Sequence, residues 1–159
     1  MTVTITTPSP TELAVTRSFD APRALVFDAL TKPELLKRWL GAQGWNLVEC
    51  TVDLRVGGAW RFVSQGPGGA KMGHGGVYQE IEAPSRLVYT ESYDDQWFEG
   101  EALITASLTE TAGRTTVHTV LRFESQEIRD VVAASPMESG INYGYARLDD
   151  VLASVSKAG

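Results

Sequence analysis

The chain carries one cysteine, Cys50, so no disulfide can form within it. That fits a reducing compartment. Basic residues are in deficit: 14 Lys and Arg stand against 20 Asp and Glu, a net charge of −6. Nucleic acid and anionic membrane both call for a basic face, so neither is an expected partner. No apolar run approaches the roughly 20 residues of a membrane span. Met1 to Pro10 has neither the basic start nor the apolar core of a signal peptide. The two histidines, His74 and His118, lie far apart, and no His/Cys/Asp group has the spacing of a metal site. There is no G-x-S-x-G elbow and no glycine pattern of a nucleotide loop. No metal and no cofactor is therefore expected, and the expected location is the cytoplasm.

What is present is an ordinary globular composition, 43% hydrophobic and 21% charged over 159 residues. A chain of this length buries about 70% of its unfolded surface, enough for one domain with a core. The expectation is a frayed Thr- and Pro-rich segment at 1–10 and a single domain over 11–159, with no internal repeat or linker.

The last quarter of the chain organises the rest. It reads as a short helix, a break at Ser135-Pro136-Met137-Glu138, and a long amphipathic helix. Ser as cap, Pro at the first helical position and Glu at the third form a capping-box pattern. Met137, Ile141, Tyr145, Leu148, Val151, Leu152 and Val155 fall on one stripe. Gly144 falls inside that stripe and Gly140 beside it. A glycine in a helix costs about 0.5–1 kcal/mol against alanine, so two of them one turn apart point to a need for space. Close packing of helix on sheet and a cavity wall are the two readings.

Upstream, a first strand at 11–19 places Leu13, Val15 and Phe19 on one face, with Arg17 interrupting it. Two short helices follow, one entered at Asp20-Ala21-Pro22 and one at Thr31-Lys32-Pro33-Glu34. From Trp45 to Phe123 the period changes to two, giving strands near 46–54, 58–65, 74–82, 86–93, 101–109 and 115–123. Short turns between consecutive strands favour an antiparallel meander. The expected fold is α+β: a curved seven-stranded antiparallel sheet wrapped on the long C-terminal helix, two short helices between its first two strands, and a cavity between helix and sheet.

Candidate ligand-binding residues follow from that arrangement: Trp39, Trp60, Phe62, Tyr78, Tyr89, Trp97, Met137, Ile141, Gly144 and Tyr145. For Trp60 and Phe62 plain core is the competing reading. Residues 66–76 hold six glycines, read as a hairpin at the cavity mouth with His74 beside it. Trp97-Phe98 reads as a gate or as a lid on the sheet edge. His118 alternates with Val117 and Thr119 and is expected to face solvent. Glu91 shares a strand face with Leu87, Tyr89 and Tyr93. If that face is inward, its carboxyl is set among apolar groups with a raised pKa, fit for acid or base chemistry. Glu91 and His74 are the catalytic candidates, with Arg61 beside them if it reaches the same space.

Four stretches in order carry a family resemblance. They are Phe19-Asp20-Ala21-Pro22; Asp53-Leu54-Arg55-Val56-Gly57-Gly58-Ala59-Trp60; Gly76-Val77-Tyr78-Gln79-Glu80-Ile81 running into Pro84-Ser85-Arg86-Leu87-Val88-Tyr89; and Met137-Glu138-Ser139-Gly140 leading to Arg147-Leu148-Asp149-Asp150-Val151-Leu152. Over about 12–155 the chain resembles the SRPBCC (START-like, helix-grip) superfamily, in the branch named after the C-terminal domain of the Aha-type activator of the heat-shock-protein ATPase. The resemblance implies a cavity that takes lipids, polyketides or other apolar molecules, and in some relatives cyclase, aromatase or dehydratase activity. It supplies no catalytic motif to carry over. Pro136 stands where the branch often has Gly, and Leu40 where a second Trp is common.

Three functions compete on this reading. The first is binding of a small apolar or aromatic ligand. The second is a cofactor-free cyclase or dehydratase acting on a polyketide-like substrate. The third is a chaperone-associated or regulatory protein-interaction module. Homodimerisation through a sheet edge or the helix ends is compatible with all three.

Overall fold

The structure is a computed structural model and describes residues 1–158, with side chains to residue 156. Eight strands among the described residues form one antiparallel sheet. They are β1 (Thr4–Ser9), β2 (Glu12–Phe19), β3 (Asn46–Val52), β4 (Ala59–Gln65), β5 (Lys71–Glu82), β6 (Arg86–Tyr93), β7 (Ala102–Thr111) and β8 (Arg114–Arg122). Their order across the sheet is β1-β2-β8-β7-β6-β5-β4-β3. The meander from β3 to β8 is the expected one, closed by β2 against β8. Helices α1 (Arg23–Thr31) and α2 (Pro33–Trp39) lie between β2 and β3, and α3 (Gln126–Ala133) and α4 (Met137–Ala158) follow the sheet.

The strand count is eight rather than seven. The added strand is β1, drawn from the segment read as frayed. It pairs Thr4 with Thr16 and Ile5 with Val15 along β2. Val3 is buried, and its N–H donates to Asn142 Oδ1 on α4 at 2.9 Å. The segment is thus tied down by backbone pairing, which a Thr- and Pro-rich composition does not advertise.

The helix starts differ from the expected capping boxes. The Thr31 hydroxyl donates to the Phe27 carbonyl at 2.8 Å, inside α1. The Ser135 hydroxyl donates to the Val132 carbonyl near the end of α3. In both places two helices abut, and the hydroxyl satisfies the open carbonyl end of the first instead of the N–H end of the second. Pro33 takes the first position of α2 with Lys32 as its cap, one residue later than a Thr31 cap would put the start. The α1 start has no side-chain cap of its own; the Arg23 N–H donates to Glu110 Oε1 at 2.7 Å.

Two apolar clusters fill the interior. The larger joins Phe19, Val26, Phe27, Leu36, Trp39, Trp60, Phe62, Tyr78, Leu108, Leu148 and Leu152. The smaller joins Leu13, Phe98, Ile104, Phe123 and Val132. Tyr89 packs against both. Arg17, the interruption in β2, is buried and makes a two-armed ion pair with Asp149 of α4, at 2.8 Å and 2.6 Å. Its guanidinium also lies 4.6 Å from the Phe19 ring centroid. The pair fixes how α4 lies on the sheet.

Candidate functional site

Period-two alternation brings the polar candidates together. On β4, Trp60 and Phe62 point inward. On β5, His74 stands beside Phe62 in the ladder. On β6, Tyr93 is the partner of His74, and Leu87, Tyr89 and Glu91 continue the same face. Leu87 is buried in the main core, so this face is the inner one.

The result is an aromatic box around His74. Tyr93 stacks on its ring at 4.7 Å between centroids. Trp60 and Phe62 meet it edge-on at 5.5 Å and 5.6 Å. Tyr89 contacts Trp60 at 5.5 Å, and Tyr78 contacts Tyr89 at 6.0 Å. Trp60 is held by its indole N–H, which donates to the Thr90 carbonyl at 3.2 Å. Its ladder partner is Gly76, which has no side chain to block the indole, and a Cβ added there would strike the Thr90 carbonyl.

Glu91 lies across from His74, with Nε2 and Oε2 3.9 Å apart. On its other side the ladder partner is the small Ala102. The gap is too long for a hydrogen bond and wide enough for one bridging atom. Both side chains keep some accessible surface, 14% for His74 and 19% for Glu91, so the pair is deep but reachable. Burial pushes the Glu91 carboxyl up to about 7. Burial pushes His74 down to about 4; the Arg61 charge adds to that and Asp94 opposes it. Near neutral pH the imidazole is thus uncharged and the carboxyl is half-ionised. His74 Nδ1 is buried without a hydrogen-bond partner.

The remaining candidates fall into other groups. Trp39 is core: its indole N–H donates to the Ala29 carbonyl at 2.9 Å, and its ring lies 5.9 Å from that of Tyr145. Tyr145 in turn meets Phe19 edge-on at 5.1 Å. A Cβ on Gly144 would meet the Trp39 and Gly41 carbonyls at 3.6 Å, so this glycine serves close packing of α4 on the end of α2. Gly140 likewise faces Ala42. Met137 packs on the smaller cluster, and Ile141 is half-buried. Trp97 is 38% exposed and leans on Tyr93 and Phe98, the lid arrangement, while Phe98 is buried.

The glycine-rich stretch forms the turn and the outgoing arm of the β4–β5 hairpin, with Gln65 paired to Lys71. Pro67–Gly69 forms a short 3-10 turn, whereas Gly73, Gly75 and Gly76 lie within β5. Gly73 is covered by the exposed Arg61–Asp94 ion pair, closed at 3.0 Å and 2.6 Å. Arg61 alternates away from Trp60 and Phe62, so it does not join the box. With Val63, Lys71, Met72, Gly73, Asp94 and Asp95 it borders a groove of about 260 Å³. His118 is exposed and bonds Thr16 Oγ1 at 2.8 Å. No cluster of three potential metal ligands occurs among the described residues. Tyr93, which the sequence reading placed on the strand face of Glu91 but not among the ligand-binding candidates, is the ring stacked on His74.

Residues 20–153 match the family described as Activator of Hsp90 ATPase homolog 1-like protein. The chain belongs to this family. It therefore shares the SRPBCC helix-grip fold, whose members typically bind hydrophobic ligands. Among solved structures, a Rhodobacter sphaeroides protein is 36% identical, with a TM-score of 0.92 over 97% of this chain and 99% of that one. An Arthrobacter aurescens protein is 26% identical, with a TM-score of 0.85 over 97% and 93%. An AHSA1 protein of Silicibacter pomeroyi, at 19% identity and a TM-score of 0.72 over 90% and 98%, shares the fold. No curated protein matches the chain. Among the described residues no helix is long and apolar enough to cross a membrane.

Proposed function

We propose that this AHSA1-like domain binds a small hydrophobic or aromatic molecule between the inner face of the sheet and α4, at the box formed by Trp60, Phe62, His74, Tyr89 and Tyr93. The observation that carries this reading is the pairing of His74 with Glu91: two polar groups, still accessible, set inside an otherwise aromatic interior. A plain core has no use for such groups, because burying them without partners costs free energy. A site for a mostly apolar ligand with one polar end has a use for both.

The test is mass spectrometry of the gently purified protein, native and then denatured. A co-purifying apolar compound is the expected result. An empty protein that also fails to take up a hydrophobic dye would overturn the reading.

A second reading has an observation of its own. A carboxyl raised to about 7 beside a neutral imidazole is poised for proton transfer near neutral pH. On this reading Glu91 is the general base of a cofactor-free cyclase or dehydratase acting on a polyketide-like substrate. Turnover of the co-purified compound class that vanishes in Glu91→Gln would support it; unchanged turnover in that variant would remove it.

A further inference from the structure

We propose that the 3.9 Å gap between His74 Nε2 and Glu91 Oε2 is a hydroxyl subsite, which selects ligands carrying an aromatic or enolic hydroxyl over ligands of the same shape without one. The inference rests on the binding reading above and deepens it by naming the polar end of the ligand.

The geometry is specific about what fits. One oxygen about 2.8 Å from each atom closes the gap, with the two contacts at roughly a right angle at that oxygen. The groups on either side then decide its chemistry. His74 Nδ1 has no partner. Leaving a lone pair unmet there is less costly than leaving a buried N–H unmet, so the proton belongs on Nε2, facing the gap. Nε2–H donates, and the ionised Glu91 carboxylate accepts. The bridging atom must accept from one side and donate to the other. A hydroxyl does both. A carbonyl or ether oxygen lacks the proton, and a methyl group lacks everything.

The surroundings favour an aromatic carrier. Around His74, Tyr93 stacks on the ring and Trp60 and Phe62 meet it edge-on, with Tyr89 against Trp60, so the neighbourhood of the gap is aromatic. The groups that act on the pair electrostatically are few. Tyr89 and Tyr93 flank Glu91 on its own strand and are held protonated by burial. The charges of Arg61 and Asp94 reach His74 from the outer side with opposite signs. Tyr145 is the α4 group that acts on this region, through Tyr89. None of these side chains bridges Nε2 and Oε2, and a ligand hydroxyl would take that position in place of solvent.

The experiment is a calorimetric titration of the intact protein with 2-naphthol and with 2-methylnaphthalene, which differ by hydroxyl against methyl. It is done for wild type and Glu91→Gln and repeated from pH 5.5 to 8. The expected result is about tenfold or greater preference for 2-naphthol in wild type above pH 7. That preference falls as pH drops and the carboxylate acceptor is protonated, and in Glu91→Gln it is small and flat with pH. Equal binding of both probes by wild type overturns the hydroxyl subsite and leaves the apolar site standing. Binding of neither overturns the apolar site and the subsite with it. A preference that survives Glu91→Gln unchanged overturns the role of Glu91. If that variant does not fold, the wild-type pH series decides alone: a preference independent of pH overturns the proposal.

Discussion

At the scale of the residue, His74 and Glu91 are displaced from their ordinary pKa values in opposite directions by the same cause. The carboxyl goes from 4.5 to about 7 and the imidazole from 6.5 to about 4, each because burial disfavours its charged form. The consequences for stability oppose one another. Glu91, raised on folding, contributes stability fully below pH 4.5, which is lost as pH rises to about 7. His74, lowered on folding, contributes stability fully above pH 6.5, which is lost as pH falls to about 4. Each amounts to about 3 kcal/mol. Between pH 4.5 and 6.5 the two slopes cancel, so the pair is nearly silent in the wild-type profile. Single variants unmask it. Measured by chemical denaturation against wild type, Glu91→Gln gains stability progressively from pH 4.5 to 7, by about 3 kcal/mol in all. His74→Phe gains it in the other direction, as pH falls from 6.5 to 4. A difference that stays level across these windows would mean that neither group is desolvated. Half of this pair was legible in the sequence: spacing of two put Glu91 on the face of Leu87, Tyr89 and Tyr93, but whether that face was inner or outer needed the core. Its meeting with His74 depends on the register of β5 on β6, which no local pattern encodes.

At the scale of the element, α4 is placed by one glycine face and one ion pair. The apolar stripe from Met137 to Val155 and its glycines were readable from spacing. What the glycines touch was not, because their partner is the end of α2, distant in sequence. With the Trp39 and Gly41 carbonyls at 3.6 Å from an added Cβ, a methyl group fits and a larger side chain does not. Gly144→Ala should therefore stabilise the domain by up to about 1 kcal/mol through helix propensity. Gly144→Leu should destabilise it by about 1–3 kcal/mol through overpacking, with no separate effect on ligand binding. Thermal unfolding of both variants checks this, and a Gly144→Leu protein that keeps its stability but loses ligand would restore the cavity-wall reading. The ion pair behaves asymmetrically. The Arg17 side chain is 2% exposed and that of Asp149 is 45% exposed. Removing the carboxylate strands a buried cation, whereas replacing the arginine by a similar apolar chain does not. Asp149→Ala should thus cost more than Arg17→Met, by about 2 kcal/mol after allowing for the solvent around Asp149. Equal costs in denaturant titrations would mean that the pair holds nothing in place.

At the scale of the whole molecule, the meander and the C-terminal helix were legible because their periods of two and 3.6 run long enough to be unambiguous, and the residues from Phe19 to Leu152 carried the family with them. The eighth strand was not. Val3 and Ile5 do alternate with Thr2, Thr4 and Thr6, but that run is too short to stand out beside the Pro- and Ser-containing residues that follow it; its structure comes from what it covers, the open side of β2 in the register Thr4–Thr16 and Ile5–Val15. An edge strand of this kind has a second function, since the β2 backbone it occupies would otherwise be free to pair with another chain. Deleting residues 1–9 removes the ladder, the Val3 bond to Asn142 on α4 and the burial of Val3. The expected cost is about 2–4 kcal/mol, and the exposed β2 edge should drive concentration-dependent association of the shortened chain. Denaturant unfolding and light scattering on the two proteins separate the effects. A shortened chain with an unchanged midpoint would mean that β1 contributes no stability. One that is destabilised yet stays monomeric at high concentration would mean that β1 anchors α4 without guarding the sheet edge.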